Sequence, residues 1–324
     1  MRFNKSTISI AAACLLAIFH CSLGFGADEP EIDLGRWYGI LHKIQNAALE
    51  KNIGARTINA VIQEAEPIPE VIRLDNSQAE FTMTLEEYIS RTVSQSRIVE
   101  GGKNAKKYPS LLSRMEKKYG VPKNVLLALW GMESNYGASK GRFKLSDSFL
   151  TLIYDGRRGE FFTAQLLALM KIADKNNLKV EDMRGSWAGA MGHYQFIPTT
   201  LAQYGADGNG NGRIDIVNSI SDAMASAGNY LSKLGWNKGE RIVRKVILPA
   251  DFDRGLCDGR TKKHLTEWTA IGVWGVPKAN KTAGMICGET NAGYLAYENF
   301  YRLKKWNNSN HYAVAVALLA DRLK

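Results

Sequence analysis

With 324 residues, 45% hydrophobic and 23% charged, the chain has the balance of a globular protein and length for one large domain or two smaller ones. A formal charge of +10 and a pI near 9.3 suit an acidic partner such as nucleic acid, anionic lipid or a carboxylate-bearing polymer. No run of five or six basic residues, Arg/Gly tract or zinc-finger spacing occurs, which leaves the specific case for nucleic acid thin.

The amino terminus reads as an export signal over residues 1–26. Arg2 and Lys5 precede the apolar run from Ile8 to Phe19, and the small residues Gly24, Gly26 and Ala27 follow, which places cleavage near Gly26. The run is short of the ~20 apolar residues needed to cross a bilayer, so no membrane span is expected. His20 stands before Cys21 where lipid attachment prefers a small residue, which argues for a soluble exported protein over a lipoprotein. Cleavage removes Cys14 and Cys21 and leaves Cys257 and Cys287, either bridged in an oxidising compartment or buried as two free thiols.

From Asp33 to Ala65 the apolar positions, Ile40, Leu41, Ile44 and Ala48 among them, recur at helical intervals, with a break at Gly54 and an end at Pro67 and Pro69. Thr84 and Glu87 form a capping box that opens a helix through Tyr88 and Val93. Lys106 to Tyr119 reads as a further helix with Leu111, Leu112 and Met115 inward, and Gly120 and Pro122 punctuate the chain after it.

Pro122 suits the first turn of the next helix, on which Leu126, Leu129, Trp130 and Glu133 fall in one stripe before Gly137 ends it. A carboxyl in line with an apolar stripe is unusual. Taking a carboxyl out of water disfavours its anion, which is what a general acid working near neutrality needs. The structural alternative is a surface glutamate on a core helix. A second stretch, Gly185 to Pro198 (GSWAGAMGHYQFIP), combines small residues with Ser186, Tyr194 and Gln195 and reads either as a ligand cleft or as a close-packed helix junction.

Phe161 to Leu169 and Leu201 to Gly205 are expected as helices, as is Ser219 to Leu234 with Ala223, Ala227, Tyr230 and Leu234 on one face. Between them, Asp207-Gly-Asn-Gly-Asn-Gly-Arg-Ile-Asp carries oxygen side chains at Asp207, Asn209, Asn211 and Asp215, with Gly212 at the sixth place and the Arg213 carbonyl at the seventh. That is EF-hand spacing, in which alternate residues face one ion. Asn218 holds the twelfth place, where a bidentate glutamate is usual, so weak structural Ca2+ binding in the ~0.1 to 1 mM range is expected. An Asn/Gly turn without metal is the alternative. Ile242 to Leu248 and Tyr294 to Tyr301 are strand candidates, and a last helix runs from about Ser309 to Leu323.

Taken together, GMESNYG and GSWAGAMGHYQFIP closely resemble the membrane-bound lytic murein transglycosylase B family in order and spacing. The likeness extends through Asp207 to Asp222, Asn229-Tyr230, Gly235-Trp236, Asn307-Asn308-Ser309, Tyr312 and the terminal Ala-Asp-Arg, so it covers roughly residues 33–324. The resemblance implies a mainly α (α+β) fold: a lysozyme-like catalytic core with an EF-hand-like calcium loop and a small β-containing region. On that reading residues 27–110 form an N-terminal helical region. The core occupies 111–240 with the calcium loop at 207–222, the β-containing region 241–308, and the C-terminal helix 309–324 packs back on the core.

The resemblance also implies a periplasmic enzyme that cleaves the β-1,4 bond between N-acetylmuramic acid and N-acetylglucosamine in peptidoglycan without water. Glu133 would protonate the leaving oxygen and then, as carboxylate, help the muramic C6 hydroxyl attack C1 to give a 1,6-anhydro product; no cofactor takes part in that chemistry. Ser186, Gln195, Phe196, Tyr230, Asn307 and Tyr312 match sugar-cleft positions, Tyr88 matches more loosely, and Trp306 stands where tyrosine is common. Asp222 matches an additional metal ligand. The expected partner is the glycan strand, and cell-wall synthases or amidases are left open.

The residue chemistry agrees with a single acid. Ordinary glycosidases place two carboxylates ~5 to 9.5 Å apart, yet Asp147, Asp155, Glu160 and Asp182 lie in no comparable motif. A hydrolytic muramidase and a non-catalytic peptidoglycan binder or scaffold are the alternatives. Gly137-Ala-Ser-Lys-Gly141 fits G-x-S-x-G, but a helix and not a strand precedes it, and the dispersed histidines form no HExxH pair.

Overall fold

The computed structural model describes residues 31–77 and 83–324, so the expected export signal lies outside the described residues. Helices α1 (Leu34–Glu50), α2 (Ala55–Ile62) and α3 (Pro69–Asn76) come first, then α4 (Leu85–Thr92), α5 (Gln95–Lys107), α6 (Pro109–Tyr119) and α7 (Lys123–Ser134). Strand β1 (Phe143–Lys144) leads into α8 (Leu145–Asp155) and α9 (Gly159–Asn176), and β2 (Arg184–Gly185) precedes α10 (Pro198–Tyr204) and α11 (Ile220–Lys233). The chain ends with β3 (Val243–Ile247), β4 (Lys263–His264), α12 (Leu265–Ala270), β5 (Thr282–Cys287), β6 (Ala292–Ala296), α13 (Glu298–Trp306) and α14 (Asn310–Arg322).

The chain folds into two compact units, each built from two separated segments. Among the described residues one comprises 83–132 and 230–324, and the other 31–77 and 133–229. In the second unit α8 and α9 pack along each other and take α1, α2 and α3 against them. Phe149, Phe162, Leu166, Leu169 and Met170 fill this core at 1% exposure or less. The loop before α2 is tied to α9 by Asp174, which accepts from the Gly54 N–H and the Thr57 hydroxyl.

The first unit carries an antiparallel sheet in the order β3-β6-β5-β4. Its inner face buries Val246, Leu248, Trp268, Met285 and Leu295, and the Trp268 indole donates to the Ala283 carbonyl at 3.0 Å. Cys257 and Cys287 are bridged beside this core, with Cα atoms 5.4 Å apart. That resolves the choice between a bridge and two free thiols. Helix α14 packs on α4, and Glu86 of α4 accepts from the backbone of Glu289 and Thr290.

Several expected boundaries move, each for a local reason. Pro69 opens α3 and does not end a run, because a proline lacks only an N–H that the first helical turn leaves unpaired. The helix expected from Lys106 is two, broken at Tyr108, and Pro109 starts the second. The aromatic stretch from Tyr294 is strand only to Ala296; Tyr297 turns the chain and Glu298 opens α13 in the favourable place for an acid. Helix α8, absent from the sequence reading, is buried on nearly every side, which hides its periodicity. The Thr84–Glu87 capping box is formed as expected.

Candidate active site

Glu133 is the penultimate residue of α7 and only 2% exposed. The stripe expected below it is buried, with Leu126 and Leu129 at 0% and Trp130 at 2%, but so is every other residue from Val125 to Gly131. Helix α7 is therefore a core helix and not an amphipathic one.

The residues after Glu133 stop the helix at once. Asn135, Tyr136 and Gly137 have φ of 49°, 59° and 88°, three successive left-handed residues. Glycine adopts that region freely and asparagine tolerates it, whereas for a tyrosine it costs roughly 1–2 kcal/mol. The cost is offset by Ser134 and by burial of the Tyr136 ring, which is 8% exposed. The Ser134 carbonyl accepts from the N–H groups of Gly137 (3.1 Å) and Ser139 (2.9 Å), and its hydroxyl accepts from Gly137 at 2.9 Å. The same hydroxyl donates to the His193 carbonyl at 2.6 Å. The Ser-Asn-Tyr-Gly run thus fixes the glutamate in the last turn and joins that turn to the glycine-rich stretch.

That stretch is a folded turn pinned at several points. Phe143 of β1 pairs with Gly185 of β2. The Ser186 N–H donates to the Ala190 carbonyl at 2.8 Å, and the Ala190 N–H returns to the Ser186 hydroxyl at 3.0 Å. Gly189, with φ of 93°, lies so close to Phe149 that a Cβ there would stand 2.1 Å from the ring. Gln195 is itself left-handed, at φ 47°, and its amide donates to the carbonyls of Gly192 (2.9 Å) and Lys140 (3.3 Å). Met191 and Phe196 exchange both backbone bonds at 3.0 Å.

In this unit Ser186 and Gln195 are partly exposed, while Phe196 is 3% exposed. Tyr194, read as a polar contact in a cleft, is instead fully buried, and burial with Tyr136 alongside holds its phenol proton well above the ordinary range. His193 is half-buried, and burial reinforced by the Lys140 charge lowers its pKa to about 4 against the pull of Asp215. The neighbouring carboxylates are engaged elsewhere or open to water. Asp147 is buried against the Lys144 ammonium at 3.2 Å, and burial raises its pKa despite that partner. Asp155 pairs with Arg157 at 3.2 Å, and Glu160 and Asp182 are exposed.

In the other unit the matched residues gather around the junction of α13 and α14. The rings of Tyr230 and Trp306 lie 5.3 Å apart, and the Tyr230 hydroxyl donates to the Lys305 carbonyl at 3.0 Å. Asn307 accepts from the Ser309 N–H at 3.1 Å, and Ser309 caps α14 by accepting from Tyr312. Tyr312 is 2% exposed, and Tyr88 packs against His311 with centroids 5.9 Å apart. Ser134 and His193 are the structural linchpins that sequence reasoning passed over: both stand inside the two motifs, but nothing in a serine or a histidine alone marks a tertiary bond.

The loop from 207 to 222 is ordered by its own oxygen atoms. Asp207 accepts from the N–H groups of Asn209, Gly210 and Gly212, and these bonds lower its pKa. Asn209 and Asn211 each accept from the residue two places on, and Asp215 accepts from Val217 and Asn218. Asp222, fully buried, accepts from Gly208 and Asp215 and ties the two ends together. Among the described residues no cluster of three or more Asp, Glu, His or Cys forms a metal site. The donors here are instead mixed carboxylate, amide and carbonyl oxygens, a set that fits a hard cation such as Ca2+ and excludes a thiolate or imidazole metal.

The chain matches the Transglycosylase SLT domain family over residues 37–321. It is 28% identical over 275 residues to membrane-bound lytic murein transglycosylase B of Escherichia coli K12, spanning 80% of this chain and 75% of that protein. SltB3 of Pseudomonas aeruginosa, solved in complex with NAG-anhNAM-pentapeptide, superposes with a TM-score of 0.84 at 38% identity over 88% of this chain and 78% of that one. The same protein has been solved with NAG-NAM-pentapeptide. The E. coli lytic transglycosylase Slt35 in complex with calcium is similar at a TM-score of 0.77 and 26% identity, covering 93% of this chain and 94% of that one.

Proposed function

The chain belongs to the transglycosylase SLT family and is a lytic murein transglycosylase, and we propose that Glu133 is its sole acid and base. The observation that carries this is the burial of Glu133 in the last turn of α7, beside a turn pinned through Ser134 and His193. A desolvated carboxyl favours the neutral acid and can protonate the glycosidic oxygen. Its conjugate base then takes the proton of the muramic C6 hydroxyl as that oxygen attacks C1, closing the 1,6-anhydro ring. The leaving sugar keeps the first proton and Glu133 ends protonated, so no water is consumed. The engagement of Asp147 and Asp155 in ion pairs supports a one-carboxyl mechanism over the two-carboxyl hydrolytic one.

In the unit that carries Glu133, Ser186, Gln195 and Phe196 are proposed as sugar contacts; taken by itself, the other unit offers Tyr88, Tyr230, Trp306, Asn307 and Tyr312 for the same role. Mass analysis of products from purified sacculi tests the reaction: anhydro-muropeptides are expected, hydrated reducing ends would mean a muramidase, and no product a binder. Glu133→Gln should lose at least ~100-fold in rate while retaining glycan binding, and near-normal turnover would sink the assignment.

Asp207, Asn209, Asn211, Asp215 and Asp222, with the Arg213 carbonyl, are proposed to hold a structural Ca2+ that rigidifies the loop. Calcium binding to Slt35 supports this. Millimolar calcium should raise the melting temperature of metal-stripped protein, and Asp207→Asn should abolish the shift. A periplasmic location after cleavage of residues 1–26 is the compartment that fits a cell-wall substrate and the bridged cysteines. Among the described residues no helix is long and apolar enough to cross a membrane.

A further inference from the structure

Trp274 is 72% exposed, the highest value among the large hydrophobic side chains described. Its backbone is nevertheless held rigidly. Trp274 and Ile247 of β3 exchange both N–H···O bonds, at 2.9 and 3.0 Å. Before it, Val273 is buried in the sheet core and donates to the Trp268 carbonyl at 3.1 Å. Gly272 and Gly275, with φ of 84° and 88°, turn the chain on either side. The segment Gly-Val-Trp-Gly thus buries its valine and displays its tryptophan.

Residues that exchange both bonds point their side chains to the same side, so the indole and the Ile247 side chain share a face. Ile247 is 42% exposed, and Lys245, two residues earlier on β3, lies on that same face and is exposed. Ile271 adds a further 43% exposed apolar side chain beside the turn. Leaving an indole in water forgoes burial worth ~25 cal/mol per Å2, and packing in the sheet needs no ring at this place.

We propose that Trp274, with Ile247 and Lys245, is an accessory glycan-binding surface that holds a peptidoglycan strand independently of Glu133. The inference rests on the reading of the chain as an enzyme of peptidoglycan. A pyranose ring presents apolar C–H faces edged by hydroxyls, for which a fixed flat indole is the complementary surface. On that face the exposed Lys245 ammonium complements the lactyl and stem-peptide carboxylates of the polymer. The apolar area is three side chains with no amphipathic helix behind it, too little for a membrane-surface anchor.

Co-sedimentation with purified sacculi in a Glu133→Gln background, which leaves the polymer intact, tests the surface. Trp274→Ala and Trp274→Leu should each weaken binding about tenfold, a change of ~1.4 kcal/mol, while Trp274→Phe retains most of it. In the active enzyme, Trp274→Ala should leave turnover of a short soluble glycan within about twofold of wild type and slow turnover of sacculi. Unchanged sacculus binding by Trp274→Ala overturns the proposal. So does full binding by Trp274→Leu, or loss of binding only to vesicles of anionic phospholipid. A wild-type enzyme that cuts no short glycan defeats the catalytic reading instead, and the sedimentation arm with inert protein still reports on Trp274.

Discussion

The hydroxyl of Ser134 stands 2.6 Å from the carbonyl oxygen of His193, to which it donates, and this bond couples the end of α7 to the glycine-rich turn. Ser134→Ala removes it together with the 2.9 Å cap on Gly137, inside a site with no exposure. The loss of a buried bond pair costs about 1–3 kcal/mol. We expect a lower denaturation midpoint and a fall in kcat larger than the fall in substrate affinity, because Glu133 is no longer held. Ser134→Thr, which keeps the hydroxyl, should restore most of both.

Gly189→Ala should destabilise by ~2 kcal/mol or more, since the added methyl would stand 2.1 Å from Phe149 and the backbone is left-handed. Combining it with Phe149→Leu relieves the contact but not the backbone cost. The double variant is therefore expected to recover only part of the stability over Gly189→Ala, and equilibrium denaturation measures how much.

His193 gives the protein an acid-side weakness. Its folded pKa, near 4, lies below the unfolded value of 6.5, so the unfolded chain binds the extra proton first. Its contribution is complete above about pH 6.5 and is lost as the pH falls toward 4. His193→Gln should flatten the stability profile across that window while leaving stability at pH 8 little changed. A profile identical to wild type would show that other groups set the acid limit.

Reducing the Cys257–Cys287 bridge, which spans 30 residues, should lower unfolding free energy by about 3.5 kcal/mol on the chain-entropy account. Denaturant titration with and without reductant reads this directly, and Cys257→Ser with Cys287→Ser should behave as the reduced protein in both conditions.

Much of this arrangement was legible in the residues because it depends on local chemistry. The Thr84–Glu87 capping box and the side-chain-to-backbone bonds of Asp207, Asn209 and Asn211 act over a few residues, and each forms where its pattern stands. Glu133 was marked by a carboxyl on an apolar helix followed by a strong stop. What stayed hidden depends on tertiary partners. Burial on all sides erased the periodicity of α8, and Tyr194 is polar in composition but interior in fact. The stretch from Tyr294 held strand and helix with the same aromatic content, and only the pairing of β6 with β3 and β5 separates them.

The segment arrangement of the two units bears on how the chain can fold as it is made. The bonds from Glu289 and Thr290 to Glu86 span 203 and 204 residues, and α14, the last helix, packs on α4. A chain emerging from its amino terminus cannot complete the sheet-bearing unit until α14 has been made. Helix α4, with Leu85 buried, gains its contact with α14 only after 133–229 have been made. Removing α14 would therefore strand α4, and loss of that late helix is expected to be as damaging as a deletion in the middle.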